Sequence, residues 1–538
     1  MTTTEPVLII DGLDVALPGG ADRALAVAGA TLSVAAGKML CIVGESGSGK
    51  SVLVTAVMGL LPRELRASAG SIRLQGESLL DASPQRLRAL RGKAMGMVFQ
   101  EPMTALNPVM RCGDQIDELL AAHTEWSAAQ RHAEIVRVLG RVRLPEPDRM
   151  VRSYPHQLSG GQRQRIVIAM AVILKPALLL CDEPTTALDV TTQKEVLALI
   201  AELQAEQRMA VLFITHDMGV VAEIADEVMV MREGGTVEYG RRADVLDRPQ
   251  ADYTRMLLAS VPGAAPPVPR AQATGAAILR GLAVTKTYVS RDWRGRARET
   301  HALRDATFAL HGGETIGIVG ESGSGKSTLA RCLIRLIEPS SGHVHWGETE
   351  VAQLPEARLR PLRSRVQIVF QDPNRSLNPR RKAGDSIAEG AINFGATAAE
   401  ARALAEQLMD QVHLPRESLE RYPSQFSGGQ RQRLAIARAL ACRPAVLVAD
   451  EAVSALDVSV QAQILQLLRD IQAELGLGLL FITHDLRVAA QLCDRVIVMH
   501  EGRIVEEAAT GVLFARPQVE YTRRLLAAAP RGLTGLAG

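Results

Sequence analysis

The stretch Gly44-Glu45-Ser46-Gly47-Ser48-Gly49-Lys50-Ser51 decides how this chain is read, because it occurs twice. The same octapeptide returns as Gly320-Glu321-Ser322-Gly323-Ser324-Gly325-Lys326-Ser327, followed by Thr328. The first copy follows the apolar run Met39–Val43 and opens a helical pattern. Glycines so placed let backbone N–H groups wrap an anion with no Cβ in the way. The lysine neutralises terminal phosphates, and the serine after it can ligate a divalent cation. A chance glycine-rich turn explains one such stretch but not two identical ones.

Working outward, five further features recur in the same order. Gln100, after Met97-Val98-Phe99, is echoed by Gln371, after Ile368-Val369-Phe370. Leu158-Ser159-Gly160-Gly161-Gln162 is echoed by Phe426-Ser427-Gly428-Gly429-Gln430. Asp182-Glu183 returns as Asp450-Glu451, Ala187-Leu188-Asp189 as Ala455-Leu456-Asp457, and Phe213-Ile-Thr-His216-Asp as Phe481-Ile-Thr-His484-Asp. Lys50 to Lys326 is a step of 276 residues and Gln100 to Gln371 one of 271. Ser159 to Ser427, Asp182 to Asp450 and His216 to His484 are all steps of 268. Length therefore differs only ahead of the Ser-Gly-Gly-Gln motif. A period this long marks duplicated domains, since solenoid repeats run ~20–50 residues. The Pro-, Gly- and Ala-rich stretch between the copies predicts a first domain over 1–261, a linker over 262–276 and a second domain over 277–538.

Within each half, short apolar runs alternate with longer helical patterns. Met39–Val43, Ala177–Cys181 and Val211–Thr215 read as buried strands, each ending at a polar or glycine motif. That pattern predicts an α/β fold with ligands at the carboxyl ends of a mostly parallel sheet. Residues 101–165 read as an inserted helical subdomain. Val228–Met231, Arg232-Glu-Gly-Gly235 and Thr236–Tyr239 read as a hairpin.

Asp182-Glu183 ends an apolar run, where adjacent charges without partners are costly. Asp182 can bind Mg²⁺ through water, and Glu183 can polarise an attacking water as general base. Seen alone, the pair also fits a solvated acidic turn. His216 and His484 read as γ-phosphate sensors, although a lone histidine is more often an ordinary surface or core residue. Ser159, Gly160 and Gly161, with their copies Ser427, Gly428 and Gly429, read as a second anion site at a helix start.

The bulk properties narrow the class. The 538 residues carry 61 basic and 59 acidic side chains, a balance unlike that of a protein held by nucleic-acid phosphates. No apolar run approaches the ~20 residues that span a bilayer, and the start lacks the charged and apolar segments of a signal peptide. Six scattered cysteines with no C-x-x-C pair argue against a zinc site or disulfide framework. A membrane role is expected to come through partners.

These motifs resemble, along essentially the whole chain, the nucleotide-binding domains of ABC transporters. The fold implied is two P-loop NTPase domains in tandem. Several segments further resemble the paired ATPase subunits of dipeptide/oligopeptide/nickel importers, here fused. They are Gln100-Glu-Pro-Met-Thr-Ala-Leu-Asn-Pro108, Gln371-Asp-Pro-Asn-Arg-Ser-Leu-Asn-Pro379 and the closing segments Pro249-Gln-Ala-Asp-Tyr253-Thr-Arg255 and Pro517-Gln-Val-Glu-Tyr521-Thr-Arg523. The resemblance implies ATP and Mg²⁺ as ligands. It implies metal contacts from Ser51, Gln100, Asp182, Ser327, Gln371 and Asp450, and catalytic roles for Glu183, Glu451, His216, His484, Gln100 and Gln371. It implies head-to-tail pairing, with one ATP between Gly44–Ser51 and Ser427–Gln430 and the other between Gly320–Thr328 and Ser159–Gln162. It implies two permease subunits and, through them, an extracytoplasmic solute-binding protein, with this chain on the cytoplasmic face of the inner membrane.

Two departures from the family pattern stand out. The second half offers Tyr288 to stack on adenine, with Trp293 nearby. The first half has no aromatic residue before Phe99, leaving Leu17 and a weaker ATP site. The linker has no cysteine, so no iron–sulfur cluster is expected. Two further features stay open. Arg291–Arg298 is a basic loop suited to lipid headgroups or nucleic acid, or simply a solvated insertion. His343 and His345 share a strand face, with no carboxylate near in sequence to complete a metal site. The class-level rival is a soluble tandem ATPase acting on ribosomes or nucleic acid. An exporter motor is a third reading, disfavoured by the peptide-importer segments.

Overall fold

Strands buried on both faces need apolar side chains at every position, and the structure is built around such strands. It is a computed structural model that describes residues 6–21, 23–186, 188–261, 275–291, 297–454 and 456–529. Most of the linker, Ala187, Ala455 and the basic-loop tip with Trp293 lie outside the described residues. The chain divides into two compact units, one holding most of the described residues up to Val261 and the other those from Gly275 to Ala529.

The strands of the first unit are β1 (Pro6–Ala16), β2 (Leu25–Ala35), β3 (Met39–Val43), β4 (Arg66–Leu74), β5 (Glu77–Ser78), β6 (Met95–Val98), β7 (Leu178–Asp182), β8 (Ala210–Ile214), β9 (Glu227–Arg232) and β10 (Gly235–Arg241). They form one sheet in the order β5-β4-β1-β2-β10-β9-β3-β8-β7-β6. Strands β6, β7, β8, β3 and β9 run parallel. The sequence pattern predicted a mostly parallel sheet; β1, β2, β4 and β5 instead pair antiparallel, as do β9 and β10. Short connections, such as the eight residues between β1 and β2, can join only antiparallel neighbours.

The helices are α1 (Lys50–Val57), α2 (Pro84–Leu90), α3 (Pro102–Ala105), α4 (Cys112–His123), α5 (Ala128–Arg141), α6 (Pro147–Arg152), α7 (Gly160–Val172), α8 (Val190–Gln207), α9 (Met218–Ile224), α10 (Arg242–Asp247) and α11 (Asp252–Ser260). The expected helical insertion is α3 to α7, between β6 and β7. The alternation along β3 shows how the layers are made. Met39, Cys41 and Val43 pack with the α4–α8 side, while Leu40 and Ile42 pack with β1, β2, β4 and α1. Cys41 and Cys181 are fully buried, and all six thiols are free.

The second unit repeats the scheme. Its strands are β11 (Ala277–Arg291), β12 (Ala297–His311), β13 (Thr315–Val319), β14 (Ser341–Trp346), β15 (Thr349–Glu350), β16 (Val366–Val369), β17 (Val446–Asp450), β18 (Gly478–Ile482), β19 (Arg495–His500) and β20 (Arg503–Ala509). Two sheets form here, β12-β11-β14-β15 and β16-β17-β18-β13-β19-β20. Where Ala28 N–H donates to Gly234 O in the first unit, Arg304 N–H donates to Gly502 O in the second. His343 meets a carboxylate after all: the β14–β15 hairpin brings Glu350 onto its Nδ1. The two are only seven residues apart, and it is the cross-strand pairing of the hairpin that joins them.

Strand β6 leads straight to Gln100 and has no room to move. A Cβ on Gly96 would lie 2.2 Å from Ala171 O in α7. Gly96→Ala is therefore expected to destabilise the first unit by about 1–3 kcal/mol. Thermal unfolding should show it as an earlier first transition, with the second unit unchanged.

Candidate active site

Each glycine loop leaves a buried strand and turns into a helix, β3 into α1 and β13 into α12 (Lys326–Leu333). Gly44 has φ +154, and a Cβ there would sit 2.1 Å from Met231 O at the end of β9. Gly49 has φ +98, with Ala26 O 2.4 Å from its would-be Cβ. Gly320 and Gly325 repeat both constraints against Met499 O and Ala302 O. Only glycine fits such left-handed, crowded positions. The loops are also pinned from the β9–β10 and β19–β20 turns, where Gly234 N–H donates to Ser48 O and Gly502 N–H to Ser324 O.

Lys50 is buried, and its Nζ donates to Gly44 O at 2.7 Å and Glu45 O at 2.8 Å. Lys326 makes the same two bonds to Gly320 and Glu321. Each ammonium is thus held inside the curl of its own loop. Ser51 Oγ donates to Asp182 Oδ1 at 3.0 Å, and Ser327 Oγ to Asp450 Oδ1 at 3.0 Å. Burial pushes the pKa of both aspartates up, against the pull of those serine bonds. A hydroxyl and a carboxylate meeting at the foot of a phosphate loop are oxygen donors of the kind a hard divalent cation takes.

Next to each aspartate sits the glutamate. Glu183 Oε2 collects three partners: Gln100 Nε2 at 3.1 Å, Thr186 Oγ1 at 2.9 Å and His216 Nδ1 at 3.2 Å. Burial works to raise its pKa, but the hydrogen bonds from His216 and Thr186 and the charges of His216 and Lys50 outweigh it and hold the carboxyl at about 2. Glu451 accepts from Gln371 Nε2 at 2.8 Å and lies 3.5 Å from His484 Nδ1. Its pKa is likewise lowered against burial by His484 and Lys326. Both glutamates have left-handed backbones, φ +45 and +49.

Ser159 and Ser427 stand at the starts of α7 and α13 (Gly428–Leu440), as expected. Their hydroxyls accept from the N–H of Gln162 and Gln430, whose side chains reach back to the serine N–H groups. These glutamines complete capping boxes, a structural duty absent from the sequence reading. Gly161 also has a packing reason: its Cβ would meet Thr192 Cγ2 at 2.6 Å.

Tyr288 lies on β11, about half exposed, with Lys286 Nζ 5.3 Å from its ring. It pairs with Thr300, two residues before the Ala302 that crowds Gly325. In the first unit the comparable turn bears Leu17, and Arg23 Nη2 donates to Gly47 O of the loop. Sequence reasoning missed Arg23, Thr186 and two tyrosines. The Tyr253 hydroxyl accepts from Glu45 N–H at 3.3 Å, and the Tyr521 hydroxyl from Glu321 N–H at 3.2 Å. The repeated closing segments were the signal for the tyrosines.

Fold and loops together define a tandem P-loop nucleotide-binding protein. Residues 27–186 and 303–454, more than half the chain between them, match the family described as ABC transporter. Residues 237–280 match the oligopeptide/dipeptide transporter C-terminal region. The glutathione import ATP-binding proteins GsiA of Escherichia coli O157:H7 and Salmonella choleraesuis are each 44% identical, over 97% of this chain and 89% of their own length. A dimeric bacterial ABC transporter cassette of solved structure is 31% identical over 43% of this chain and 98% of its own, with a TM-score of 0.40. The chain belongs to the ABC transporter family: it binds ATP and hydrolyses it in the service of transport across a membrane. Such an ATPase works with membrane-embedded permease subunits. Among the described residues, no helix is long and apolar enough to cross a membrane.

The His484–Glu451 pair makes a measurable prediction. Burial disfavours the charged imidazole, but the hydrogen bond and charge of Glu451, with the charge of Asp485, raise its pKa. Stability from this pair is full below the unfolded imidazole pKa and is lost as pH rises through the higher folded one. A histidine-selective NMR titration should put the His484 midpoint above the ordinary ~6.5. Glu451→Gln should bring it down; an unmoved midpoint would remove Glu451 as the cause.

Proposed function

We propose that this chain energises the import of peptides or peptide-like solutes. The observation that carries this reading is the end-to-end likeness to glutathione import ATP-binding proteins, joined to the matched oligopeptide/dipeptide transporter C-terminal region. Its partners on this reading are two permease subunits and, through them, an extracytoplasmic solute-binding protein. Its place is the cytoplasmic face of the inner membrane. The proposed organisation is one ATPase domain over 1–261, a linker over 262–276 and a second domain over 277–538.

In each half the glycine loop cradles the phosphates, with Lys50 or Lys326 supplying the positive charge. The amides at Gly160 and Gly161, and at Gly428 and Gly429, offer a second set of donors to phosphate. Ser51 with Asp182, and Ser327 with Asp450, suit Mg²⁺, with Gln100 and Gln371 beside them. Bound there, the ion would offset phosphate charge and orient the terminal phosphate. Glu183 and Glu451 act on the attacking water, accepting its proton as its oxygen bonds to the γ-phosphorus and the bond to the bridging oxygen breaks, so that ADP leaves. His216 and His484, each against its glutamate, hold that carboxylate and stand ready to contact the γ-phosphate. Tyr288 provides a stacking face for adenine in the second half.

Purification from membranes tests the transport reading. Recovery with two hydrophobic subunits supports it, whereas recovery with ribosomes or nucleic acid would overturn it. Two variant sets test the sites. Glu183→Gln and Glu451→Gln should each lower turnover at its own site roughly 100-fold or more in a phosphate-release assay. An unchanged rate in either would end the reading of two active sites. Nucleotide titration of Lys326→Ala reports the first site, and that of Lys50→Ala the second. The first should bind ATP about 2-fold to 12-fold more weakly, the worth of one aromatic stacking partner. Equal affinities would count against Tyr288.

A further inference from the structure

We infer that Tyr253 and Tyr521 are positioning residues of the two phosphate loops, through which the closing segment of each half sets nucleotide affinity. The inference rests on the reading that these loops hold ATP.

Each tyrosine lies far from its loop in sequence, 208 residues in the first half and 200 in the second. Both nevertheless reach the same atom, the N–H of the second loop residue. In the first half, the peptide joining Gly44 to Glu45 is gripped at both ends. Its N–H donates to the Tyr253 hydroxyl, and its carbonyl accepts Lys50 Nζ at 2.7 Å. The peptide joining Gly320 to Glu321 is gripped in the same way by Tyr521 and Lys326. The orientation of that peptide therefore fixes where the lysine ammonium points.

The hydroxyls are held firmly enough for this task. Tyr253 and Tyr521 are buried. The Arg232 guanidinium lies 5.0 Å from the centre of the Tyr253 ring, and His500 stacks on Tyr521 at 4.0 Å. Arg232 and His500 occupy equivalent positions at the ends of β9 and β19, beside the Met231 and Met499 carbonyls that crowd the first loop glycines. The helices bearing the tyrosines, α11 and α14 (Glu520–Ala528), are tied down at their starts. Glu238 accepts from Gln250 and Ala251 N–H, and Glu506 from Gln518 and Val519 N–H. Burial, with the nearby loop glutamates, pushes both phenols up to about 12, so each hydroxyl keeps its proton at neutral pH.

A tyrosine that only filled the core would matter through its ring. A positioning tyrosine matters through its oxygen, and phenylalanine separates the two. The test uses the full chain with Tyr253→Phe and Tyr521→Phe, singly and together. It measures equilibrium titration with a non-hydrolysable ATP analogue, KM and kcat for phosphate release, and thermal melting. The double variant should bind the analogue roughly threefold to tenfold more weakly, the worth of one hydrogen bond per site. KM should rise alike, with kcat within about twofold and the melting point held. Unchanged affinity with a lowered melting point would make the tyrosines core residues and overturn the inference. Met256→Ala, exposed on α11, should leave affinity unchanged; a loss as large as that of Tyr253→Phe would also overturn it. Should the phenylalanine variants fail to fold, Glu238→Gln with Glu506→Gln loosens both helix starts and should weaken binding too; unchanged affinity there would overturn the inference. If the unaltered chain binds no analogue, the ATP reading itself falls. If it binds and the double variant binds equally, only this inference falls.

Discussion

A carboxylate buried at the end of a parallel sheet must be hydrogen-bonded or neutral. Glu183 meets that constraint by gathering Gln100, Thr186 and His216 onto one oxygen. Each partner comes from a different element: the end of β6, the turn after β7 and the end of β8. The backbone contributes as well. Glu183 N–H donates to Ile214 O, extending the β7–β8 ladder by one residue while its φ of +45 turns the chain out of the strand. A left-handed glutamate costs about 1–2 kcal/mol. That cost is met twice, since Glu451 repeats both the bond and the twist. The three strand ends must stay in register for this oxygen to be satisfied, and the same register brings Asp182 to Ser51.

The two halves solve this problem with different thoroughness. Thr186 gives its hydroxyl to the Glu183 carboxylate, whereas Ser454, its counterpart, gives its own to the Glu451 backbone carbonyl. The histidine contact is 3.2 Å in the first half and 3.5 Å in the second. The first half thus ties its glutamate down more completely. The halves also differ around the loop: Leu17 stands against Tyr288, and Arg232 against His500. Catalytic strands kept in strict register therefore carry unequal surroundings.

Much of this was legible in the sequence, for one reason. Buried parallel strands and glycine loops impose residue types at consecutive positions, and those runs survive in the text as motifs. Met39–Val43 was read as a strand to the residue, and the hairpin at Val228–Tyr239 follows from its glycine turn. Other features depend on which distant segments meet. The β1–β2–β4 strands alternate in burial and gave no strong run, so the antiparallel part of the sheet went unread. Glu350 reaches His343 across a hairpin. Tyr253 reaches Glu45 across most of a domain. Gln162 reads as a ligand residue, although Ser159-x-x-Gln162 ahead of an apolar run is itself the sequence pattern of a capping box.

The depth of the Glu183 pKa bears on how such a site must work. A carboxylate held at about 2 is a poor proton acceptor, because the donors that stabilise its charge oppose protonation. To serve as a base it has to shed some of them, and they are not equally free to leave. Thr186 is three residues away in the same turn, and His216 ends a strand paired to β3 and β7. Gln100 lies where β6 hands over to α3, the first helix of the inserted subdomain, and its side chain is exposed. Its amide is the donor whose removal disturbs least of the core. Any force that shifts α3 relative to β6 therefore acts on the hydrogen bonding of Glu183 through one side chain, while His216, Thr186 and Lys50 go on holding its charge. On the proposed reading, that side chain is where pressure from a membrane partner would become chemistry.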